Sequence, residues 1–223
     1  MHLDLHHAHP WDVSPKEAVE IQRQLEPLVR EEPLDLGTIQ TVAGLDVSVR
    51  GDQVRAAVVV MDARTVEVVD QAIWAGPVAF PYVPGLLSFR EVPAILPALR
   101  QLDALPDVLM LDAHGRAHPR RFGLACHLGV LLDRPALGVA KTVFVGTHGE
   151  LATEKGHHVE LVHRDETVGV VMRTRARVKP VYVSVGHRMT LDDASSLALR
   201  CATRYKLPEP TRLAHLLSYR GRL

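Results

Sequence analysis

The sequence predicts an α/β protein built on a mixed sheet, in which an antiparallel meander is followed by parallel strands and helices flank both. Three observations predict it. Thr41 to Trp74 divides into strand-like segments joined by short polar turns. Beyond Pro93, helical spacing alternates with short, wholly apolar runs. No repeat, low-complexity stretch or linker interrupts the 223 residues, so one domain spanning 1–223 is the economical reading.

Taken in order, the first dozen or so residues carry His2, His6, His7 and His9 and read as a flexible, solvated tail, although such a tract could bind stray transition metals. Ala18, Ile21, Leu25 and Leu28 recur at helical spacing and predict a helix over 15–30. Ser14 can cap it, with Pro15 at its first position and Glu17 closing a capping box. The period then changes. Ala43, Leu45, Val47 and Val49 alternate and mark a strand over 41–49. Gly51-Asp52 is a turn signal, and Val54–Met61 and Val66–Trp74 read as the next two strands of the meander.

A Pro-rich loop spans 76–85, and a helix is predicted over 93–102, with Pro93 in its first turn and Pro97 weakening it. Val108–Leu111 reads as a buried parallel strand ending at Asp112. A helix over 122–132 leads to a second such strand, Ala136–Val139. Beyond Gly146 the chain is polar and reads as loops and edge strands, with Val168–Arg173 and Val181–Val185 as a hairpin pair. Thr190 caps a last helix with Leu191, Ala194, Leu197, Ala198, Cys201 and Tyr205 on one face. Asp192 and Asp193 suit its dipole.

Composition narrows the function classes. Hydrophobic residues make up 47% of the chain, which supports a large core, and Lys plus Arg equals Asp plus Glu. Zero net charge excludes coating of nucleic acid by bulk charge but leaves room for a local basic groove. Cys126 and Cys201 lack nearby partners and read as reduced thiols in a cytoplasmic protein. No apolar run reaches the ~18 residues of a membrane span, and the N-terminus lacks the core of a signal peptide.

Three acids stand out by their surroundings. Asp46 sits inside the strand V-A-G-L-D-V-S-V, where Asp is disfavoured. Asp112 ends V-L-M-L-D, at the carboxyl edge of a parallel strand where α/β proteins gather ligands. Glu91 lies in L-L-S-F-R-E at an expected loop–helix junction. One reading is a Mg²⁺ site, since hard dications prefer carboxylate oxygens, and two ions about 4 Å apart could hydrolyse a phosphodiester. The alternatives are a buried Arg partner for Asp46, a turn cap at Asp112 and a solvated helix-start acid at Glu91. Lys141, after the strand A-L-G-V-A, could meet a phosphate or be a solvated strand-end lysine.

At these residues the sequence resembles the endonuclease V family. The matching stretches are V-A-G-L-D-V-S around Asp46, P-Y-V-P-G-L-L-S-F-R-E from Pro81 to Glu91, and L-D-A-H-G-R-A-H-P-R-R-F-G-L-A from Leu111 to Ala125. G-V-A-K-T around Lys141, G-H-R from Gly186 and P-E-P-T-R-L-A-H ending at His215 follow in order. The resemblance implies a ribonuclease H-like fold and a Mg²⁺ requirement that Mn²⁺ can meet. It implies action on strands containing inosine, and cleavage of the second phosphodiester 3′ to the lesion to leave 3′-hydroxyl and 5′-phosphate ends. DNA is the expected partner, with RNA as an alternative, and the protein is expected to act as a monomer without a membrane.

Carried over by position, the resemblance makes Asp46 and Asp112 metal ligands and Glu91 the third carboxylate, acting directly or through water. Lys141 meets the phosphate near the cut, and His215 completes the catalytic cluster or stands as a helix-surface histidine. Tyr82, between Pro81 and Pro84, resembles a strand-separating wedge, since flanking prolines stiffen the loop that would hold the ring. Without the family it reads as a loop aromatic. Gly85, Leu87, Ala113, His114, Gly115, His118, Gly123 and Leu124 are the expected base pocket, and Arg120 and Arg121 the expected contacts to sugar–phosphate. One departure matters: Ala113 stands where the family has Gly, adding a methyl beside the expected base. A ribonuclease H-like nuclease of other specificity, an inosine-specific ribonuclease, a non-catalytic binder and a small-molecule hydrolase are the competing readings.

Overall fold

A computed structural model describes residues 1–223. The strands are β1 (Thr41–Arg50), β2 (Gln53–Asp62), β3 (Val68–Pro77), β4 (Val108–Leu111), β5 (Ala136–Ala140), β6 (His158–His163), β7 (Glu166–Met172) and β8 (Val181–His187). They form one sheet in the order β3-β2-β1-β4-β5-β8-β7-β6. β1–β4 and β4–β5 are parallel, and every other pairing is antiparallel. The mixed sheet expected from the sequence is therefore present, with the meander at one end and the parallel strands at the centre.

Five α-helices cover it: α1 (Pro15–Leu25), α2 (Leu87–Leu99), α3 (Leu124–Leu132), α4 (Leu191–Cys201) and α5 (Glu209–Arg220). Alternation along the strands divides them between two faces. Ala43, Leu45, Val58, Leu109 and Leu111 pack with Val92, Ile95 and Leu99 of α2 and Leu124 and Leu128 of α3. Val42, Met110, Val139 and Val183 point the other way, onto Leu197 and Ala198 of α4, while Ala57 and Val59 meet Ala214 and Leu217 of α5. No helix is long and apolar enough to cross a membrane. Both cysteines are free and buried.

The expected elements shift where burial outweighs local preference. α1 forms with its Ser14–Glu17 capping box, but gives way to a 3-10 turn at Glu26–Leu28, where Pro27 supplies no N–H. α2 begins at Leu87, six residues before Pro93, so both Pro93 and Pro97 lie inside it and Glu91 rides on a helix, not at a junction. Each proline removes one helical hydrogen bond. Val92, Ile95, Leu96 and Leu99 are buried in the core with the sheet, Phe89 packs on Trp11, Phe80 and His127, and together they hold the helix. α4 stops at Cys201, leaving Tyr205 outside it and exposed, and it is not the last helix, because α5 follows.

The N-terminal segment differs most from expectation. Leu3 is buried in the main core, and Trp11 packs against Phe89 and His127. His9 Nε2 lies 2.7 Å from His127 Nε2, whose Nδ1 is 2.8 Å from Ser88 Oγ. Apolar side chains among the polar histidines carry the segment onto α2 and α3. Burial lowers the pKa of both rings, so they meet as neutral imidazoles.

The contact that seats α5 is testable. A Cβ on Gly44 of β1 would lie 2.0 Å from the backbone carbon and oxygen of Pro210. Gly44→Ala should therefore push α5 off β1 and lower stability by about 1–3 kcal/mol, the usual range for overpacking. Chemical denaturation checks this, and an unchanged midpoint would show that α5 does not depend on the close approach.

Candidate active site

The site grows from strand register. Parallel pairing sets Leu45 opposite Leu111, and the N–H of Asp112 donates to the Leu45 carbonyl at 3.1 Å. Asp46 and Asp112, each the next residue, thus emerge side by side from the central strands. β5 pairs Gly138 with Leu111, so Lys141 leaves the same edge. α5 brings His215 and Ser218 onto Asp46: the Ser218 hydroxyl donates to its carboxylate, and His215 Nδ1 lies 3.4 Å from Asp46 Oδ2. The Lys141 ammonium forms an ion pair with Asp112 Oδ2.

Glu91 faces this cluster from α2. Dense surroundings, together with the negative charges of Asp46 and Asp112, push its carboxyl up to about 8, against the pull of Arg90. Burial likewise raises Asp112, although Lys141 opposes the shift. Such a gathering of carboxylates suits a hard dication. One ligand atom each from Asp46, Asp112 and His215 lie within 4.8 Å of one another, and two of the three are carboxylate oxygens. Glu91 is not part of that tight group but senses both aspartates.

Beside the carboxylates opens a cavity of about 340 Å³. Tyr82, Gly85, Leu87, Ala113, His114, His118, Gly123 and Leu124 line it, and so do Asp112 and Lys141. Gly115 and Pro81 do not. Gly115 sits behind the wall, where a Cβ would be 2.0 Å from the Val185 carbonyl oxygen, and Pro81 is exposed on the loop. Gly85 adopts a positive φ of 82°, and its carbonyl accepts from Gln22 Nε2 (3.0 Å), Arg120 Nη2 (2.7 Å) and His118 Nε2 (3.0 Å). His118 Nδ1 accepts from the Arg120 N–H, and burial with the nearby Arg120 charge lowers the ring to about 3, so it is neutral. Burial lowers His114 to about 4. Tyr82 is 67% exposed, with the Arg90 guanidinium 5.7 Å from its ring centre.

Arg120 and Arg121, expected to contact nucleic acid, are engaged within the protein. Arg120 binds Gln22 and Gly85, while Arg121 pairs with Glu166 at 2.7 Å and donates to the His163 carbonyl. Arg120 thus ties its loop to α1 and the segment before α2, and Arg121 ties it to the β6–β7 turn. Sequence reasoning also passed over several site residues. Gln22 had a signal, as an amide on the apolar face of α1 beside Ala18 and Leu25. Ser218 had one too, three residues after His215 on a helix. Phe144, whose ring lies 5.5 Å from that of His118 at the cavity rim, had none.

The raised Glu91 carboxyl makes a prediction with a definite sign. At pH 7 a group titrating near 8 is mainly protonated, and a dication favours the ionised form. Affinity for Mn²⁺ should therefore rise with pH up to about 8 and then level, with protons released on binding below that point. Calorimetric titration in two buffers of different ionisation enthalpy reads this, and Glu91→Gln should flatten the dependence. A wild-type affinity independent of pH between 6 and 9 would remove Glu91 from the cation's surroundings.

The sequence profile of the endonuclease V family matches residues 23–216. Endonuclease V of Roseiflexus castenholzii is 50% identical over 215 residues, covering 96% of each chain. The crystal structure of endonuclease V from Streptomyces avermitilis superposes with a TM-score of 0.91 at 43% identity, covering 95% of this chain and 94% of that one. That of Ciona intestinalis endonuclease V, in complex with a 24mer DNA containing an inosine followed by a ribo-adenosine, gives 0.83 at 25% identity, covering 92% of this chain and 96% of that one. Paired aspartates on neighbouring parallel strands, a cavity that shares one of them, and this likeness along nearly the whole sequence lead to one assignment: the chain is a nuclease and belongs to the endonuclease V family.

Proposed function

We propose that the protein is a DNA repair endonuclease that binds a strand containing inosine and hydrolyses the second phosphodiester 3′ to the lesion. The carrying observation is that the cavity and the carboxylate cluster share Asp112 and Lys141. A base held in the cavity thus keeps its own strand beside the hydrolytic groups. The Ciona relative bound to inosine-containing DNA supports the substrate class. Its ribo-adenosine after the inosine favours RNA as a second reading.

In this reading Asp46, Asp112 and His215 would hold Mg²⁺, which Mn²⁺ could replace, with the Glu91 carboxylate nearby to add negative charge. The bound ion would lower the pKa of water and stabilise charge on the leaving oxygen. Lys141 Nζ turns from Asp112 toward the non-bridging oxygens of the phosphate, where it offsets negative charge as it grows. Water oxygen joins phosphorus, the bond from phosphorus to the 3′ oxygen breaks, and that oxygen takes up a proton. The products are a 3′-hydroxyl and a 5′-phosphate. Inosine differs from adenine by an oxo group and a protonated ring nitrogen, which neutral imidazoles and backbone groups can tell apart. Ala113 lines the cavity beside Asp112, where its methyl group would restrict the range of bases admitted.

Tyr82 acts as the wedge, its ring projecting into solvent at the cavity mouth. Stacking on an aromatic ring is worth ~1–3 kcal/mol, enough to offset much of the unpairing of a mismatched base.

Matched DNA and RNA oligonucleotides, each with one inosine or one adenine, test the assignment. With Mg²⁺ the inosine strand should be nicked at the stated bond; with Ca²⁺ it should be bound and left whole. Asp112→Ala should abolish nicking and retain binding. Equal cutting of inosine and adenine strands would overturn the substrate, and a variant within tenfold of wild type would overturn the role of Asp112. Tyr82→Ala should weaken binding to duplex inosine DNA by about 1–3 kcal/mol, less on single strands, while Tyr82→Phe stays near wild type. Unchanged duplex affinity in the Ala variant would make Tyr82 an ordinary loop residue.

A further inference from the structure

The chain has no net charge, yet its basic residues are unevenly placed. The loop joining β7 to β8 reads R-T-R-A-R-V-K-P over 173–180, and the connection from α4 to α5 includes T-R-Y-K over 203–206. Neither stretch contains an acid. Arg175, Arg177 and Lys179 are exposed, Lys206 is half-buried, and none of the four takes part in an ion pair.

Register places this loop beside the catalytic edge. β8 is antiparallel to β5 with Tyr182 opposite Ala140, the residue before Lys141. β7 is antiparallel to β8 with Met172 opposite Val181. Residues 173–180 therefore leave the sheet at the edge from which Lys141 emerges, within about two strand spacings of roughly 4.8 Å each. The loop is fixed there. Arg173 donates to the carbonyls of Leu151, Ala152 and Val178, and the Arg177 N–H donates to the Thr153 carbonyl at 2.9 Å. The Thr174 hydroxyl donates to the Lys206 carbonyl at 2.5 Å, joining the two basic stretches. The charges feel one another: after burial, the ammonium groups of Lys179 and Lys141 lower Lys206, while Asp112 pulls it back.

Unpaired like charges held together repel, and an anion relieves them. The cavity lies toward α2 and α3, whereas Lys206 lies between α4 and α5, which pack on the opposite face of the sheet. Asp112 stands between. A strand with its lesion in the cavity and its scissile bond at Asp112 would run over the sheet edge onto the basic stretches. We propose that Arg175, Arg177, Lys179 and Lys206 form a docking track for the phosphates of the strand 3′ to the cut. The direction rests on the cut position proposed above; the track itself does not. Point charges on phosphates position a strand without reading its bases.

The experiment compares wild type with Arg175→Ala/Arg177→Ala/Lys179→Ala and with Lys206→Ala. Affinity is measured in Ca²⁺ over a salt series, on single strands with one inosine or one adenine. Strands with long 3′ extensions, strands ending at the cut, and strands lacking only the 5′ extension are used. On long strands, log K against log salt should become shallower by about 0.7 for each phosphate that the variant no longer neutralises. The inosine-to-adenine ratio should stay at its wild-type value. Deleting the 3′ extension should abolish the difference between variants and wild type, and deleting the 5′ extension should not. An unchanged salt slope in both variants overturns the track, and a difference that follows the 5′ extension overturns its direction. A wild type without preference for inosine would overturn the substrate reading while leaving the salt slopes to decide the track. Equal melting temperatures, expected for the exposed triple variant and checked for the half-buried Lys206, assign any loss to charge.

Discussion

The parallel pairing of β1 with β4 is the constraint on which the site depends. One register brings Asp46 and Asp112 out side by side from the middle of an eight-stranded sheet. Two carboxylates in such a place repel each other and lose water, so the surrounding groups have to offset the charge. The Ser218 hydroxyl and His215 answer Asp46, and Lys141 answers Asp112. Glu91 has no such donor, and its carboxyl is the one pushed up to about 8. A dication held by Asp46 and Asp112 would offset the same repulsion with fewer hydrogen bonds.

The two faces of the sheet divide the remaining work. α2 and α3 border the cavity, with Gly85 as its hub: Gln22 of α1 and His118 and Arg120 of the β4–α3 loop all donate to its carbonyl, at a residue whose positive φ favours glycine. α5 supports Asp46. Gly44 lets it approach β1 closely enough for His215 and Ser218 to reach Asp46, and the Ser48 hydroxyl and Arg55 both hold the Ser218 carbonyl. The cavity and the His215–Ser218 support of Asp46 are thus anchored to opposite layers, with Asp112 at the boundary.

The N-terminal segment belongs to this scaffold. Through His9, His127 and Ser88 it links to the first turn of α2, whose neighbour Leu87 lines the cavity. A carbonyl only accepts, so His9 Nδ1 donates to Pro10. Its Nε2 then accepts from His127 Nε2–H, and His127 Nδ1 accepts from the Ser88 hydroxyl. All four ring nitrogens and the Ser88 hydroxyl are thus paired while both rings stay neutral.

By itself the sequence determined the elements whose pattern is local. β1, β2, β4 and β5 lie where alternation and apolar runs put them, and the capping boxes at Ser14 and Thr190 begin their helices. Asp46 and Asp112 were legible because a carboxylate in or at the end of an apolar strand needs a reason to be there. Glu91 and Lys141 were candidates beside ordinary alternatives, while Tyr82 and His215 stood out only through the resemblance of their motifs. Tertiary structure alone decided the rest. Burial of one helix face let α2 run through Pro93 and Pro97 against local preference, and packing on the core drew in a histidine-rich segment whose composition reads as solvated. Ser218, Gln22 and Phe144 joined the site, and Arg120 and Arg121 were drawn away from the solvent, through partners dozens of residues distant in sequence. Periodicity reports which side of an element is buried; which element will cover it depends on the packing of the whole chain.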